Sequence, residues 1–490
     1  MSRRIVVVSY AINGRGMGHL TRQLAILRWV RRIGQILDRR IECWVLTSSE
    51  ADTLARREGF CSLKLPSKAM FRDASLEPAR YLRVARSWVL NTLAALGPDL
   101  LLVDTFPGGS FGELTAALEF ARRRVLVARK VRPEFAAQDS YQALLPLYAR
   151  TIVPDASDVG PILIRSRSEL LSREQAREAL GVSRRTVYVS VGGGGDVNAH
   201  QVLPRLVRAL RESWDVVVGA GPLYTGPELR GPTVRWMDRY VPVELFAGFD
   251  AAVSAGGYNS FHELMHAGVP TVFLPQHRIA DDQLLRAQSA ERAGAGRVAR
   301  SVSEVVELLE EPGSADAARA LVPRNGAREA ALAALEGLIP PHELKHAAEL
   351  LDEQTVQVLD QVGVELVRLV GGSPNAVRFL ELCNQHEVGE EGLPLLKSLS
   401  RKFPAATVEE RLSAAELLFP VWARYDDWMG AVSLLRAVPT QRTYALSAFA
   451  NDLAVWLERE EDLFDALRDF TRLEGHGQRS VAEVLMELGR

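Results

Sequence analysis

Short apolar runs alternate with amphipathic stretches along the first two thirds of this chain, and the whole alternation starts afresh near residue 153. RIVVVSY (4–10), IECWVLTS (41–48), DLLLVDTF (99–106) and RVLVARK (124–130) read as strands. TRQLAILRWVRRI (21–33) has helical spacing, with Leu24, Leu27 and Val30 on one face. Strands alternating with helices specify a parallel sheet covered on both faces. The second round runs through TVYVSVGG (186–193), a helix near 199–212, WDVVVGAG (214–221), TVRWM (233–237), DAAVSAGG (250–257) and PTVFLPQ (270–276). The fold class read here is α/β: two tandem doubly wound domains, 1–152 and 153–338, with VPDASDVGPILIR (153–165) as hinge and 325–338 as a closing helix. After residue 341 the strand signal stops. Residues 341–490 read as an all-α domain, and stretches at 428–435 and 463–470 match in their apolar positions at a spacing of 35, as helix-pair repeats or a plain bundle would.

Composition narrows the class. Apolar residues make up 47% and charged ones 24%, the balance of an ordinary globular protein. Three widely spaced cysteines (Cys43, Cys61, Cys383) offer neither a disulfide framework nor a cysteine-rich zinc site. The apolar run near the start is too short for a secretory signal, and no run reaches the roughly 18 to 20 residues of a membrane span, so the expected location is cytoplasmic. The net charge of −2 hides an asymmetry: residues 1–150 hold 24 basic and 13 acidic side chains, and residues 341–490 hold 15 and 25. The basic first domain points either to a solvated surface or to an anionic partner, including a peripheral stay at a negative membrane face. The acidic tail suits a protein partner. Nucleic acid is not expected, because the basic residues lack a recognition-helix or aromatic-interleaved setting.

Three Gly-rich elements fall where ligands bind in open α/β sheets, just past the carboxyl ends of strands. NGRGMGHLTRQ (13–23) brings Gly16 and Gly18 to the start of a helix, with His19 at its mouth. An imidazole there serves as a general base near neutral pH or as a simple helix cap. In PDLLLVDTFPGG (98–109), Asp104 ends an apolar strand, as a turn cap or as the group that orients a catalytic histidine. The third element, VSAGGYNSFHELMHAGVPTVFLPQHRIADDQ (253–283), carries most. Gly256-Gly257 lead into a helix start where free amides, Asn259 and Ser260 form a diphosphate site. Glu263 lies one turn in, placed for ribose hydroxyls, and Asp282-Gln283 stand beyond the next strand as hydrogen-bonding side chains for a sugar. The GGGG run, with Gly193 and Gly194, adds a second anion cradle.

Those 31 residues resemble the donor-binding signature of UDP-sugar-dependent glycosyltransferases of the GT-B fold. The tract is similar to the plant and macrolide enzymes. The GxGH loop with a Gly-rich second half resembles the glucosaminyltransferases acting on peptidoglycan lipid intermediates. The resemblance covers residues 1–338 and implies two Rossmann-like domains, acceptor on the first and nucleotide-sugar on the second. It implies Asn259 and Ser260 on the diphosphate, Glu263 on the ribose, Asp282 and Gln283 on the sugar, and Tyr240 or Val241 against the base. His19, paired with Asp104, becomes the base on the acceptor. Two positions depart from the plant pattern: Ala255 stands where a phosphate-contacting histidine belongs, and Tyr258 replaces a tryptophan.

The reading is therefore a transferase moving a hexosyl or N-acetylhexosaminyl group from a nucleotide-diphosphate donor, with inversion and without a metal or other cofactor. A nucleotide-sugar hydrolase with the same donor site, and a non-catalytic adaptor using the helical tail, are the alternatives. HELKH (342–346) fits H-E-x-x-H, with His342 and His346 as zinc ligands and Glu343 as base. Lys345 between those ligands, and the lack of a third, argue against it.

Overall fold

Val- and Leu-rich runs with no polar alternation need apolar neighbours on both faces, and a parallel sheet between helix layers supplies them. The structure, a computed structural model, describes residues 4–350 apart from 13–16, 38, 68–69, 72–73, 76, 130–132, 157–158, 193–196, 222–223, 238–242 and 277–280. The first half holds β1 (Ile5–Ala11), β2 (Ile41–Thr47), β3 (Cys61–Lys64), β4 (Leu100–Asp104), β5 (Arg123–Val127) and β6 (Arg150–Ile152). They lie in the order β3-β2-β1-β4-β5-β6, all parallel, with Val7 opposite both Cys43 and Leu100. The second half repeats the plan with β7 (Thr186–Ser190), β8 (Asp215–Val218), β9 (Val234–Trp236), β10 (Ala251–Ser254), β11 (Thr271–Phe273) and β12 (Gly296–Val298), in the order β12-β11-β10-β7-β8-β9. Counted from the start of each half, both sheets have the doubly wound order 3-2-1-4-5-6, and the two Rossmann-like units expected from the sequence are present. The central strands β4, β7 and β10 are buried along their whole length.

Helices α1 (Gly18–Ile36), α2 (Thr53–Arg57) and α3 (Pro78–Leu96) belong to the first half. The second adds α4 (Arg173–Leu180), α5 (Val197–Leu210), α6 (Tyr258–Ala267), α7 (Gln283–Arg292), α8 (Val302–Leu308) and α9 (Ala315–Leu321), followed by α10 (Ala327–Leu335) and α11 (Pro341–Leu350). The chain order of α10 assigns it to the second half, yet it packs on α1, β4 and β6 of the first through buried alanines. Residues 1–348 form one compact unit. Within it, the connecting segment is held to the first half by ion pairs: Arg165 with Glu58 at 2.6 Å, and Arg28 with Glu169.

Strands Cys61–Lys64, Arg150–Ile152 and Gly296–Val298 carry no sequence signal strong enough to name them. All three sit at sheet edges and have three or four residues, too few for a period to register. Among the described residues no helix is long and apolar enough to cross a membrane. The all-α reading of 341–490 and its 35-residue repeat lie outside the described residues, apart from α11.

Candidate functional site

β1 and β4 are neighbours whose connections leave in opposite directions, so their carboxyl ends open a crevice. Asp104 closes β4 and His19 opens α1, and the fold brings them together: His19 Nδ1 lies 2.6 Å from Asp104 Oδ1. The two positions, which the resemblance pairs, are hydrogen-bonded neighbours in the structure. Arg22, one turn along α1, donates through Nε and Nη2 to both oxygens of the same carboxylate at 2.7 and 2.6 Å. Burial alone would raise the Asp104 carboxyl, but Arg22 and His19 hold it well below the usual carboxylate range. An ionised carboxylate only accepts, so Nδ1 of His19 carries the proton and Nε2 presents its lone pair. Burial lowers the His19 pKa, as do Arg22 and Arg129, against the pull of Asp104, and the ring is neutral at pH 7. The ring stacks on Phe106. Thr105, buried at φ 62°, turns the chain sharply off β4 and donates its hydroxyl to Asp104 Oδ1 at 2.7 Å. A β-branched residue in the left-handed region is strained, and this one sits beside the dyad.

The second crevice opens between β7 and β10 and faces the first. Gly256 turns at φ 74°, and a Cβ there would meet the Phe273 ring at 3.3 Å. Gly257 then caps α6 without a side-chain bond, leaving the helix-start amides available. Asn259 points across to the first half. Its amide nitrogen donates to the Gly18 carbonyl and the Thr21 hydroxyl, and its oxygen accepts from Arg22 Nη1 at 3.2 Å. Ser260 follows it, half-buried, and Glu263 is buried one turn on. Among the described residues no hydrogen bond reaches the Glu263 carboxyl group, and desolvation lifts it to about 7. Gln283 is buried and accepts from the Gln276 amide at 2.9 Å, with its side-chain nitrogen near Gly257. Asp282 is exposed and caps α7 by accepting from the Leu285 amide at 3.0 Å.

Arg22, Arg129, Arg286 and Asp281 are site residues that sequence reasoning missed. Asp281 Oδ1 accepts from Arg129 of the first half and Arg286 of the second, at 2.7 Å each. All three guanidinium groups lie 5.5 to 5.8 Å from the centre of the Tyr258 ring. The signal available was modest: Arg22 and Arg286 stand three residues after His19 and Gln283, on the same helix faces. His262, buried on α6, pairs with the half-exposed Asp155 of the connecting segment at 3.5 Å. Gly16, Gly193, Gly194, Tyr240 and Val241 lie outside the described residues. In HELKH, Glu343 spends both oxygens on Arg39, at 2.8 and 2.6 Å. Among the described residues no group of three His, Cys, Asp or Glu side chains is placed to hold a metal ion.

No family model matches the chain. Its sequence is 26% identical over 159 residues to the UDP-N-acetylglucosamine--N-acetylmuramyl-(pentapeptide) pyrophosphoryl-undecaprenol N-acetylglucosamine transferase of Aquifex aeolicus (strain VF5). That match takes in 31% of this chain and 46% of the relative, so the chain spans about half the length of the curated relative it matches. Among solved structures, CalG4, the calicheamicin glycosyltransferase, is 17% identical with a TM-score of 0.46, covering 69% of this chain and all of that one (100%). The glycosyltransferase of kitacinnamycin is 17% identical with a TM-score of 0.44, covering 68% and 98%. The resemblance to UDP-sugar-dependent glycosyltransferases read from the sequence is met again in that curated relative, to which the chain is similar over 159 residues.

Proposed function

We propose that this protein transfers a sugar, of the hexosyl or N-acetylhexosaminyl kind, from a nucleotide-diphosphate donor to an acceptor hydroxyl, with inversion and without a metal ion. The single observation that carries the reading is the pairing of neutral His19 with ionised Asp104 opposite the free helix start of α6. In the reaction, His19 Nε2 takes the acceptor proton while the acceptor oxygen forms its bond to the anomeric carbon. The bond from that carbon to the diphosphate oxygen breaks from the opposite side, and its electron pair leaves with the diphosphate. Asp104 stabilises the imidazolium that results, by the logic of a base held by a third group. The amides at the start of α6, with Ser260 and Asn259, stabilise the departing charge. Glu263, a buried carboxylate one turn from the helix start, suits ribose hydroxyls, and Gln283 with Asp282 suits the sugar. The excess of basic over acidic residues in the first half supports an anionic acceptor.

The test is a panel of nucleotide-sugars assayed for transfer and for slow acceptor-free breakdown, with the wild type and His19→Ala. The variant should keep nucleotide affinity and lose about 10²- to 10⁴-fold in turnover. Free sugar released at full rate without any acceptor would mark a hydrolase instead. Unchanged turnover in the variant would remove His19 from the reaction.

A further inference from the structure

Inside the cleft, three guanidinium groups (Arg22, Arg129, Arg286) converge on one aromatic ring, and among the described residues two carboxylates pair with them, the buried Asp104 and the partly buried Asp281. Arg22 is fully paired, because it chelates Asp104. Arg129 and Arg286 share a single oxygen of Asp281, and Arg286 also donates to the neutral Gly256 carbonyl at 2.6 Å. Among the described residues this leaves one positive charge in excess in a largely buried place, where an unanswered charge is costly. Burial and the neighbouring Arg22 and Arg286 depress the Arg129 pKa, the mark of cations crowded together without enough anion. The Tyr258 hydroxyl on that ring is buried and has no hydrogen-bond partner among the described residues. Tyr258 is the first residue of α6, so the cations and the orphan hydroxyl gather at a helix start that itself favours negative charge.

We propose that Arg129 from the first half and Arg286 from the second clamp the diphosphate of the bound donor, with the Tyr258 hydroxyl as a further donor and Asp281 holding the two arginines apart from it until the ligand arrives. The inference rests on the nucleotide-diphosphate reading above and adds to it the groups that neutralise the leaving group. A dianionic diphosphate outcompetes one carboxylate for two guanidinium groups, because each phosphate accepts a bidentate fork. Arg129 comes from the first half and already reaches Asp281 of the second, so the clamp would take one guanidinium from each half.

Isothermal titration of the full chain with UDP, TDP, GDP and ADP, each against its nucleoside, tests this. For the diphosphate that binds the wild type best, Arg129→Gln and Arg286→Gln should each weaken binding at least tenfold while nucleoside affinity stays constant. Asp281→Asn should tighten diphosphate binding several-fold, because its competing charge is gone. A thermal melt of each variant verifies folding. If Arg129→Gln weakens nucleoside and diphosphate alike, or neither, the arginine is only a latch between halves and the clamp is wrong. Weaker diphosphate binding in Asp281→Asn overturns it too. Failure of every nucleoside diphosphate to bind the wild type would instead sink the donor reading itself, and the clamp with it.

Discussion

Arg22 sets the chemistry of the dyad by what it does to Asp104. A carboxylate facing histidine alone would raise the imidazole pKa and favour the charged ring. With both oxygens chelated by a guanidinium, Asp104 still orients Nδ1–H, but much of its charge is already answered. Burial first, and Arg22 after it, thus keep the His19 imidazole below its ordinary pKa despite the carboxylate beside it. Glu263 shows the opposite case, a buried carboxylate without a cation. Its folded-state value of about 7 exceeds the ordinary 4.5, so between these the folded protein holds the extra proton and stability falls as pH rises. The penalty is complete above pH 7. Glu263→Gln is therefore expected to stabilise the protein at pH 8 by on the order of 2 kcal/mol and to do almost nothing at pH 4, as denaturant unfolding at the two pH values will measure. The same change should weaken nucleoside binding, so stability and affinity move in opposite directions.

Helix α6 is the element on which the site depends. Its start faces the cleft, and its end is fixed by Gly268 at φ 79°, whose amide closes onto the Leu264 and Met265 carbonyls. A Cβ at Gly268 would stand 2.6 Å from the Arg319 side chain. Gly268→Ala is expected to cost about 1–2 kcal/mol through the left-handed backbone and that clash, read as a lower denaturant midpoint. Nucleotide affinity should change little, since the substitution lies at the far end of the helix. The sequence marked this element well: Gly-Gly before it, Asn259, Ser260 and Glu263 within it, Gly268 after it. It could not show that Asn259 would reach across to Gly18 and Thr21, because bonds between residues 238 and 241 positions apart have no local periodicity. Arg129 was illegible for a related reason. Arg is a common surface residue, and nothing in the chain near Arg129 shows that Asp281, 152 positions on, will meet it.

At the scale of the molecule, α10 ties the halves together by belonging to one in chain order and to the other in packing. Its buried alanines, Ala330, Ala331 and Ala334 among them, allow a close approach that larger residues would prevent. Ala331→Leu is expected to cost about 1–3 kcal/mol by overpacking. Calorimetry should still show one transition for residues 1–348, shifted to lower temperature; two separate transitions would show that the halves are independent. What the sequence determined alone was whatever is local or periodic: the alternation of strands and helices, the tandem halves, the glycine turns at strand ends, and the candidacy of His19, Asp104 and the 253–283 tract. Those properties follow from side-chain burial repeating every two or 3.6 residues and from turns that only glycine makes easily. The tertiary structure alone decided which charges meet. Arg22 on Asp104, Arg129 and Arg286 on Asp281, and α10 on α1 are contacts between distant parts of the chain, and electrostatic pairing depends on distance in space, to which spacing in sequence is blind.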